Sequence, residues 1–490
     1  MPRTFRVRGI VEGFYGRPWS HAARCSVLSF VGERGMNAYV YAPKDDPKHR
    51  AQWRTPYEPE ELTRLRDLAA YASRCGIEMG FAISPGLDID YEATHERSAL
   101  LDKLRPLVGA GVPWVVLALD DIAPAPGLAD QQADLVAWLL AALRGLRPDV
   151  RLTLVPTEYV GTVSSPYLAD LARGVPAEVD VMWTGPTVCS PVLRATDARA
   201  FAAAVAPHGV LVWDNYPVND ATMEDRLHLG PYRGRDPGLA DVVEGVLLNP
   251  MTQPHASRVA LATACDHLGA PDDYDEGSAW ERAIADVGGD DAAPLAVLAR
   301  ACADGPLAAP GTLDLARAVA ALRADPVSPV LDRVVAELRA ARALPDAFPR
   351  DAPPDSLAGD VAPWADAARA EADAGLAATR LLHALRGTGD GVPTTETAER
   401  LLRLAFVFVT TWANARRNRR VVYGPRFAVY PAVLRLAGGE PVLDVDPAVV
   451  ADANPVDALC RLALEGYRGL TARWTASPRR VPQPDASDGG

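Results

Sequence analysis

Eight short apolar runs punctuate the first 250 residues, separated by longer stretches in which polar and apolar positions recur at helical spacing. The runs are RVRGIVEG (6–13), AYVYAPK (38–44), EMGFAISPG (78–86), WVVLALDD (114–121), RLTLVPTEY (151–159), VDVMWTGP (179–186), GVLVWDN (209–215) and GVLLNP (245–250). Most are continuous in Val, Ile, Leu and Tyr, the pattern of parallel strands covered on both faces. The intervening EPEELTRLRDLAAYASRCG (58–76) and DQQADLVAWLLAALRGL (130–146) predict helices. The first carries acids early and ends in Gly76, which suits the helix dipole and a C-terminal cap. Eight strand–helix units in this length have the size and period of a (β/α)₈ barrel. An open doubly wound sheet shares the local pattern, but no GxGxxG loop opens the first helix, and a count of eight favours closure.

From about residue 275 the texture changes. No strand-like runs stand out, and Ala/Arg/Leu-rich patterns at 278–303, 312–324, 329–344, 364–386 and 394–420 predict a helical bundle. Pro- and Asp-rich segments at 344–363 and 387–393 break them, and TTETAERLL after Pro393 has the Thr cap and early glutamates of a helix start. The expected organisation is an α/β barrel over 1–275, an all-α helical domain over 276–475, and a disordered tail over 476–490.

Nearly every apolar run terminates in polar or small residues: Glu12-Gly13, Lys44-Asp45-Asp46, Ser84-Pro85-Gly86, Asp120-Asp121, Glu158-Tyr159, Trp183-Thr184-Gly185, Asp214-Asn215 and Asn249. Taken singly, each has an ordinary structural reading. Paired aspartates start turns or cap helices, Lys44 to Lys48 reads as a solvated charge run, and Trp183 and Trp213 suit a core. Asn215 and Asn249 suit turns, and Gly13 and Gly16 permit a bend. In a closed barrel, however, all eight C-terminal strand ends open on one face, where barrel active sites lie. The polar ends then outline one cleft.

Composition narrows the chemistry. The 490 residues carry a net charge of −13, with 63 acidic against 50 basic residues and no basic block, so nucleic acid has no electrostatic footprint. No run reaches membrane-spanning length, the richest being AFVFVTTW (405–412), and MPRTFRVRGIVEG lacks the apolar stretch of a secretion signal. The six cysteines are scattered without CxxC spacing, as expected of reduced thiols in a cytoplasmic protein. The eight histidines are dispersed with neither HxH nor HExxH, which disfavours metal hydrolysis. No GxSxG elbow or dinucleotide fingerprint is present. Neither metal nor cofactor is expected. Carboxylates among Trp, Tyr and Asn suit a sugar, with acid/base work on a glycosidic bond. A consecutive Asp pair suits substrate-assisted chemistry, in which the sugar's 2-acetamido oxygen attacks, one aspartate polarising it and its neighbour moving the proton.

The motifs GIVEGFYGRPWS (9–20), YVYAPKDDPKHRAQWR (39–54), AISPGLDI (82–89), LALDDI (117–122), PTEYVGT (156–162), WTGP (183–186), WDNYPVND (213–220), LGPYRGR (229–235) and GVLLNP (245–250) together resemble the family 84 glycoside hydrolases. These are β-N-acetylglucosaminidases that include protein O-GlcNAcases, and the similarity runs from about residue 6 to 265. The resemblance implies that Asp121 is the general acid/base and that Asp120 orients and polarises the acetamido group as it closes to an oxazoline. It implies that Tyr159 and Asn215 hold the acetamido carbonyl, and that Trp213 forms part of the apolar floor. Asp220, Asn249 and Lys44 would contact sugar hydroxyls, and Gly13 would contribute a backbone carbonyl. Protonation of Asp121 for the first step leads us to expect its pKa to be raised by Asp120 and a closed pocket. The expected partner is an N-acetylglucosaminide on a glycoprotein or glycan, with homodimerisation through the helical region and no nucleic-acid or membrane partner. Action on chitooligosaccharides or cell-wall fragments, and a non-catalytic GlcNAc-binding sensor, are the alternatives.

Overall fold

The computed structural model describes residues 3–303, 307, 318, 320–322, 329–388, 394–417, 433–437, 440–444 and 455–476. Strands β1 (Val7–Glu12), β2 (Ala38–Tyr41), β3 (Glu78–Ile83), β4 (Trp114–Ala118), β5 (Arg151–Val155), β6 (Asp180–Trp183), β7 (Val210–Asp214) and β8 (Gly245–Leu248) fall on the eight predicted runs. They pair in sequence order, all parallel, and β8 closes on β1 with Gly9 opposite Leu247. Helices α1 (His21–Gly32), α2 (Pro59–Arg74), α3 (Thr94–Gly109), α4 (Leu128–Leu146), α5 (Pro166–Gly174), α6 (Ala195–Ala204) and α7 (Pro254–Gly269) surround this barrel.

The seventh unit departs from the expected repeat. Between β7 and β8 the chain makes only two 3₁₀ turns, Ala221–Met223 and Pro237–Asp241. Pro217, Pro231 and Pro237, with Gly230, Gly234 and Gly238, leave no uninterrupted stretch for an α-helix here.

Side chains alternate along each strand. One set fills the barrel: Val7 and Val11, Ala38 and Val40, Ala82, then Trp114, Val116 and Ala118, with Val155, Met182, Leu211, Trp213 and Leu247. The other set, including Ile10, Tyr39, Val115, Leu117, Leu154, Val181 and Val212, packs under the helices. Gly80 is required on the inner side, because a Cβ there would press on the indole of Trp114. That indole is anchored in turn by its N–H, which donates to Thr153 Oγ1 at 2.9 Å.

The later region is helical as expected, with α8 (Glu276–Gly288), α9 (Ala292–Ala301), α10 (Val330–Arg342), α11 (Leu357–Arg386), α12 (Thr395–Arg417) and α13 (Pro455–Ala476). Helix α11 is central and packs against α7, α10, α12 and α13. It begins earlier than the Pro-rich sequence suggests, since Ser356 accepts from the Gly359 N–H and Pro363 lies inside the helix. The region is also not purely α-helical: β9 (Val433–Ala437) and β10 (Glu440–Asp444) form an antiparallel pair. Most of the pattern at 312–324, all of 389–393 and the tail from 477 lie outside the described residues.

The two regions share a core in which Leu227, Leu229 and Met251 of the barrel loops and Ala256 of α7 join Leu331, Trp364 and Ala368. Trp364 Nε1 donates to the carbonyl of Asp225 at 3.1 Å. Asp360 Oδ2 accepts from the N–H groups of His255 (2.6 Å) and Ala256 (3.0 Å), at the start of α7. Helix α7 has no side-chain cap of its own, so a carboxylate from the helical region satisfies its first turn. Among the described residues, no helix is long and apolar enough to cross a membrane.

Candidate active site

A cavity of about 310 Å³ opens at the C-terminal ends of the strands. All nine sequence-predicted residues line it: Gly13, Lys44, Asp120, Asp121, Tyr159, Trp213, Asn215, Asp220 and Asn249. Strand alternation explains seven of them. Continuing each inward series by steps of two carries Val11 to Gly13, Ala42 to Lys44, Ala118 to Asp120, Val155 to Tyr159, Leu211 to Trp213 and Asn215, and Leu247 to Asn249.

Opposite parity sends other strand-end groups away. Glu12 turns under the helices, where it pairs with Arg24 at 2.7 Å and accepts from Tyr39 at 2.6 Å. Asp214 takes both Arg235 Nε (2.9 Å) and Nη2 (2.7 Å), plus the Tyr232 hydroxyl at 2.7 Å. Trp183 is fully buried and stacks on Phe201, so it is a core aromatic. Asp46 holds the Tyr41 and Tyr57 hydroxyls, at 2.7 and 2.8 Å.

Asp121 follows neither series. Alternation alone would aim it at the helices, but its backbone turns through a left-handed φ of +57°, and the side chain re-enters the cavity. There its Oδ1 accepts from Tyr159 (3.0 Å) and its Oδ2 from Tyr15 (2.9 Å). Lys44 Nζ and Arg50 Nη2 each stand 3.6 Å from Oδ2. Asp120 is buried, and its Oδ2 accepts from Lys44 at 2.5 Å. Its Oδ1 is buried with no protein partner.

These contacts fix the charge state. Burial opposes the Lys44 charge, but Asp120 and Asp121 outweigh it and hold the ammonium above its usual range. Burial alone would raise the Asp121 pKa. Lys44, the two tyrosine hydroxyls and Arg50 overcome that and hold the carboxyl below the ordinary carboxylate value. The expectation of a raised Asp121 pKa is therefore corrected: Lys44, Tyr15, Tyr159 and Arg50 favour the ionised carboxylate. Burial, then Asp121, pushes the Tyr159 phenol well above its usual range, so it stays a proton donor.

The far wall is an amide relay. The Gly13 N–H donates to Asn249 Oδ1 (3.2 Å), and Asn249 Nδ2 donates to Asn215 Oδ1 (2.9 Å). Trp213 Nε1 donates to that same Asn215 oxygen (3.1 Å), and Asn215 Nδ2 donates to the Val188 carbonyl (2.7 Å). The relay uses one of the two Asn215 amide protons and leaves the other for a ligand. A Cβ on Gly13 would run into the Trp213 indole, so only glycine lets the ring lie flat along this wall. Asp220 enters from the β7 loop, its Oδ2 accepting the Tyr15 N–H at 2.8 Å, and burial raises its pKa.

Sequence reasoning missed Tyr15, Arg50 and Cys189. Tyr15 lies two residues beyond Gly13, so the parity that marks Gly13 marks it too. Arg50 was hidden in the charge-rich stretch after Lys44, and nothing in the local pattern marks Cys189.

A family model described as beta-N-acetylglucosaminidase matches residues 8–300, more than half the chain. The chain belongs to this family. The protein O-GlcNAcases of Rattus norvegicus and Mus musculus are each 35% identical to it over 267 residues, covering 52% of this chain. That match covers only 29% of those curated relatives, so the chain corresponds to under a third of their length. Among solved structures, an O-GlcNAc hydrolase of Thermobaculum terrenum, in an aspartate-to-asparagine mutant, superposes with a TM-score of 0.80. It is 26% identical and covers 96% of both chains. The protein called CpGH84B gives a TM-score of 0.78 at 25% identity, over 94% of this chain and 77% of its own. For a β-N-acetylglucosaminidase family member, the match to the Thermobaculum protein also extends through the helical region.

Proposed function

We propose that this protein is a retaining exo-β-N-acetylglucosaminidase that removes terminal β-linked GlcNAc, of the kind protein O-GlcNAcases hydrolyse, by substrate-assisted catalysis. The observation that carries the reading is Asp120: one oxygen is neutralised by Lys44, and the other is a buried acceptor with no partner. Leaving such an acceptor open costs on the order of 1–3 kcal/mol, a cost that a ligand N–H relieves. In our reading that donor is the acetamido N–H. Its bond to Asp120 makes the acetamido oxygen more nucleophilic, and the oxygen attacks the anomeric carbon to close an oxazoline. Positioning within one molecule is worth an effective concentration of roughly 10⁵ M or more.

Asp121 supplies the proton to the leaving oxygen, then removes one from the water that opens the oxazoline. Tyr159 and the free Asn215 proton hold the acetamido carbonyl, and Trp213 supports the ring face. Asp220, Asn249, Lys44 and the Gly13 carbonyl meet the sugar hydroxyls. We assign the barrel work to 1–275.

Proton NMR of the first-formed product from an aryl β-N-acetylglucosaminide tests this. The β-anomer should appear first and mutarotate later. The α-anomer first, or GlcNAc binding with no turnover, would overturn the reading.

A further inference from the structure

Each oxygen of Asp121 accepts from a tyrosine: Tyr159 donates to Oδ1 and Tyr15 to Oδ2. A carboxylate oxygen can accept more than one hydrogen bond, but a tyrosine has a single hydroxyl proton to give. In the reading above, the Tyr159 proton turns to the acetamido carbonyl, and the Tyr15 proton is the one that competes with the aglycone for Asp121. Tyr159 is buried and packs in the barrel's inner core. Tyr15 stands at the mouth, 38% exposed, in the loop that follows β1. Its hydroxyl accepts from Arg50 Nη1 at 2.6 Å while donating to Asp121, and Arg50 Nη2 also faces that carboxylate at 3.6 Å. Its backbone N–H meanwhile holds Asp220 at 2.8 Å. One residue thus touches the proposed acid through its side chain and the proposed sugar-hydroxyl ligand through its backbone.

We propose that the Tyr15 hydroxyl, backed by Arg50, holds Asp121 Oδ2 in the place a leaving-group oxygen would take, and releases it when an aglycone enters. This rests on the glycosidase reading above. Tyr15 and Arg50 are positioning residues for Asp121, alongside the charged neighbours Lys44 and Asp120 and the Tyr159 hydroxyl, whose one proton leaves Oδ1 for the acetamido carbonyl when the sugar binds. While Tyr15 donates to it, Asp121 stays a carboxylate. On release it loses a donor, its proton affinity rises, and it takes one proton from solvent. That proton then passes to the glycosidic oxygen as the bond to the anomeric carbon breaks. The free enzyme stores no misplaced proton, and the acid is armed only when a substrate occupies the mouth.

Two readouts on Tyr15→Phe test this, since phenylalanine keeps the ring and the backbone N–H. With a poor leaving group, the alkaline limb of kcat/KM reports free enzyme and that of kcat reports the complex. In the wild type, the kcat limb should lie at the higher pH. In Tyr15→Phe, the kcat/KM limb should move up by about one pH unit, towards an unmoved kcat limb. A uniform loss of rate with both limbs unmoved would overturn the proposal. Carboxyl ¹³C NMR of aspartate-labelled, substrate-free protein, assigned with Asp121→Asn, gives the second readout. The Asp121 titration should shift upward in Tyr15→Phe, and an unshifted titration again overturns the proposal. A shifted titration in a protein that turns nothing over would instead retire the glycosidase reading and keep the Tyr15 hold on Asp121.

Discussion

Lys44 serves two consecutive carboxylates: its Nζ lies 2.5 Å from Asp120 Oδ2 and 3.6 Å from Asp121 Oδ2. Without that cation, Asp121 would lose the largest influence that lowers its pKa, and burial would push it upward. The ammonium pairs directly with Asp120 and helps hold Asp121 below the ordinary carboxylate range.

Replacing Lys44 with Met should therefore destabilise the fold in a pH-dependent way. Removing one partner of a buried pair costs roughly 3–5 kcal/mol. Asp121 has a depressed folded-state pKa, so the stability it contributes is present above the ordinary carboxylate range and fades as pH falls through the folded value. The variant's deficit should be largest near neutral pH and shrink in acid, where Asp121 takes up a proton. Urea unfolding at several pH values checks this, and a deficit that does not change with pH would count against the paired-charge account.

Asp121→Ala should separate leaving groups. General acid catalysis contributes about 10²–10⁴-fold, so substrates with poor leaving groups should lose activity on that scale. Activated aryl glycosides need little protonation in the first step and should lose far less of their kcat/KM. Equal losses on both classes would remove Asp121 from the acid role.

Asp120→Asn should lower turnover on every substrate, whatever the leaving group, by on the order of 10²-fold. The amide still fills the space beside Lys44 but cannot polarise an N–H as a carboxylate does. Leaving-group plots for the variant and wild type should be parallel. A wild-type rate would sink the assignment.

Asp214→Ala tests the opposite parity class. The residue precedes Asn215, yet its carboxylate faces away from the cavity and holds Arg235. Leaving that buried guanidinium unpaired should cost roughly 3–5 kcal/mol of stability. What remains folded should keep its leaving-group dependence. Intact stability with altered leaving-group dependence would mean that Asp214 belongs to the site.

Strand alternation made much of this site legible. Gly13, Lys44, Asp120, Trp213, Asn215 and Asn249 all extend inward series that read directly off the chain, and the same rule sorts Glu12, Trp183 and Asp214 into the helix layer. Asp121 breaks the rule through one backbone angle that no spacing encodes, and Asp220 sits in a loop whose path depends on tertiary contacts such as Trp364 to Asp225. The seventh helix was expected from periodicity alone, whereas the prolines and glycines of 215–244 decide against it. The β9–β10 pair was overlooked although Gly438-Gly439 between two apolar runs is a hairpin signal. The charge state of Asp121 was misjudged because its cations and tyrosines come from β1, β2 and β5 segments, far apart in sequence.

The central claim is that the substrate's own acetamido oxygen is the nucleophile, held and polarised by Asp120. The most direct measurement is the hydrolysis of aryl β-N-acetylglucosaminides whose acetyl methyl carries none, one, two or three fluorines. Each fluorine withdraws electron density from the carbonyl oxygen, so kcat/KM should fall steeply and continuously along the series. A rate insensitive to fluorination would contradict the account and require a nucleophile from the protein or from water.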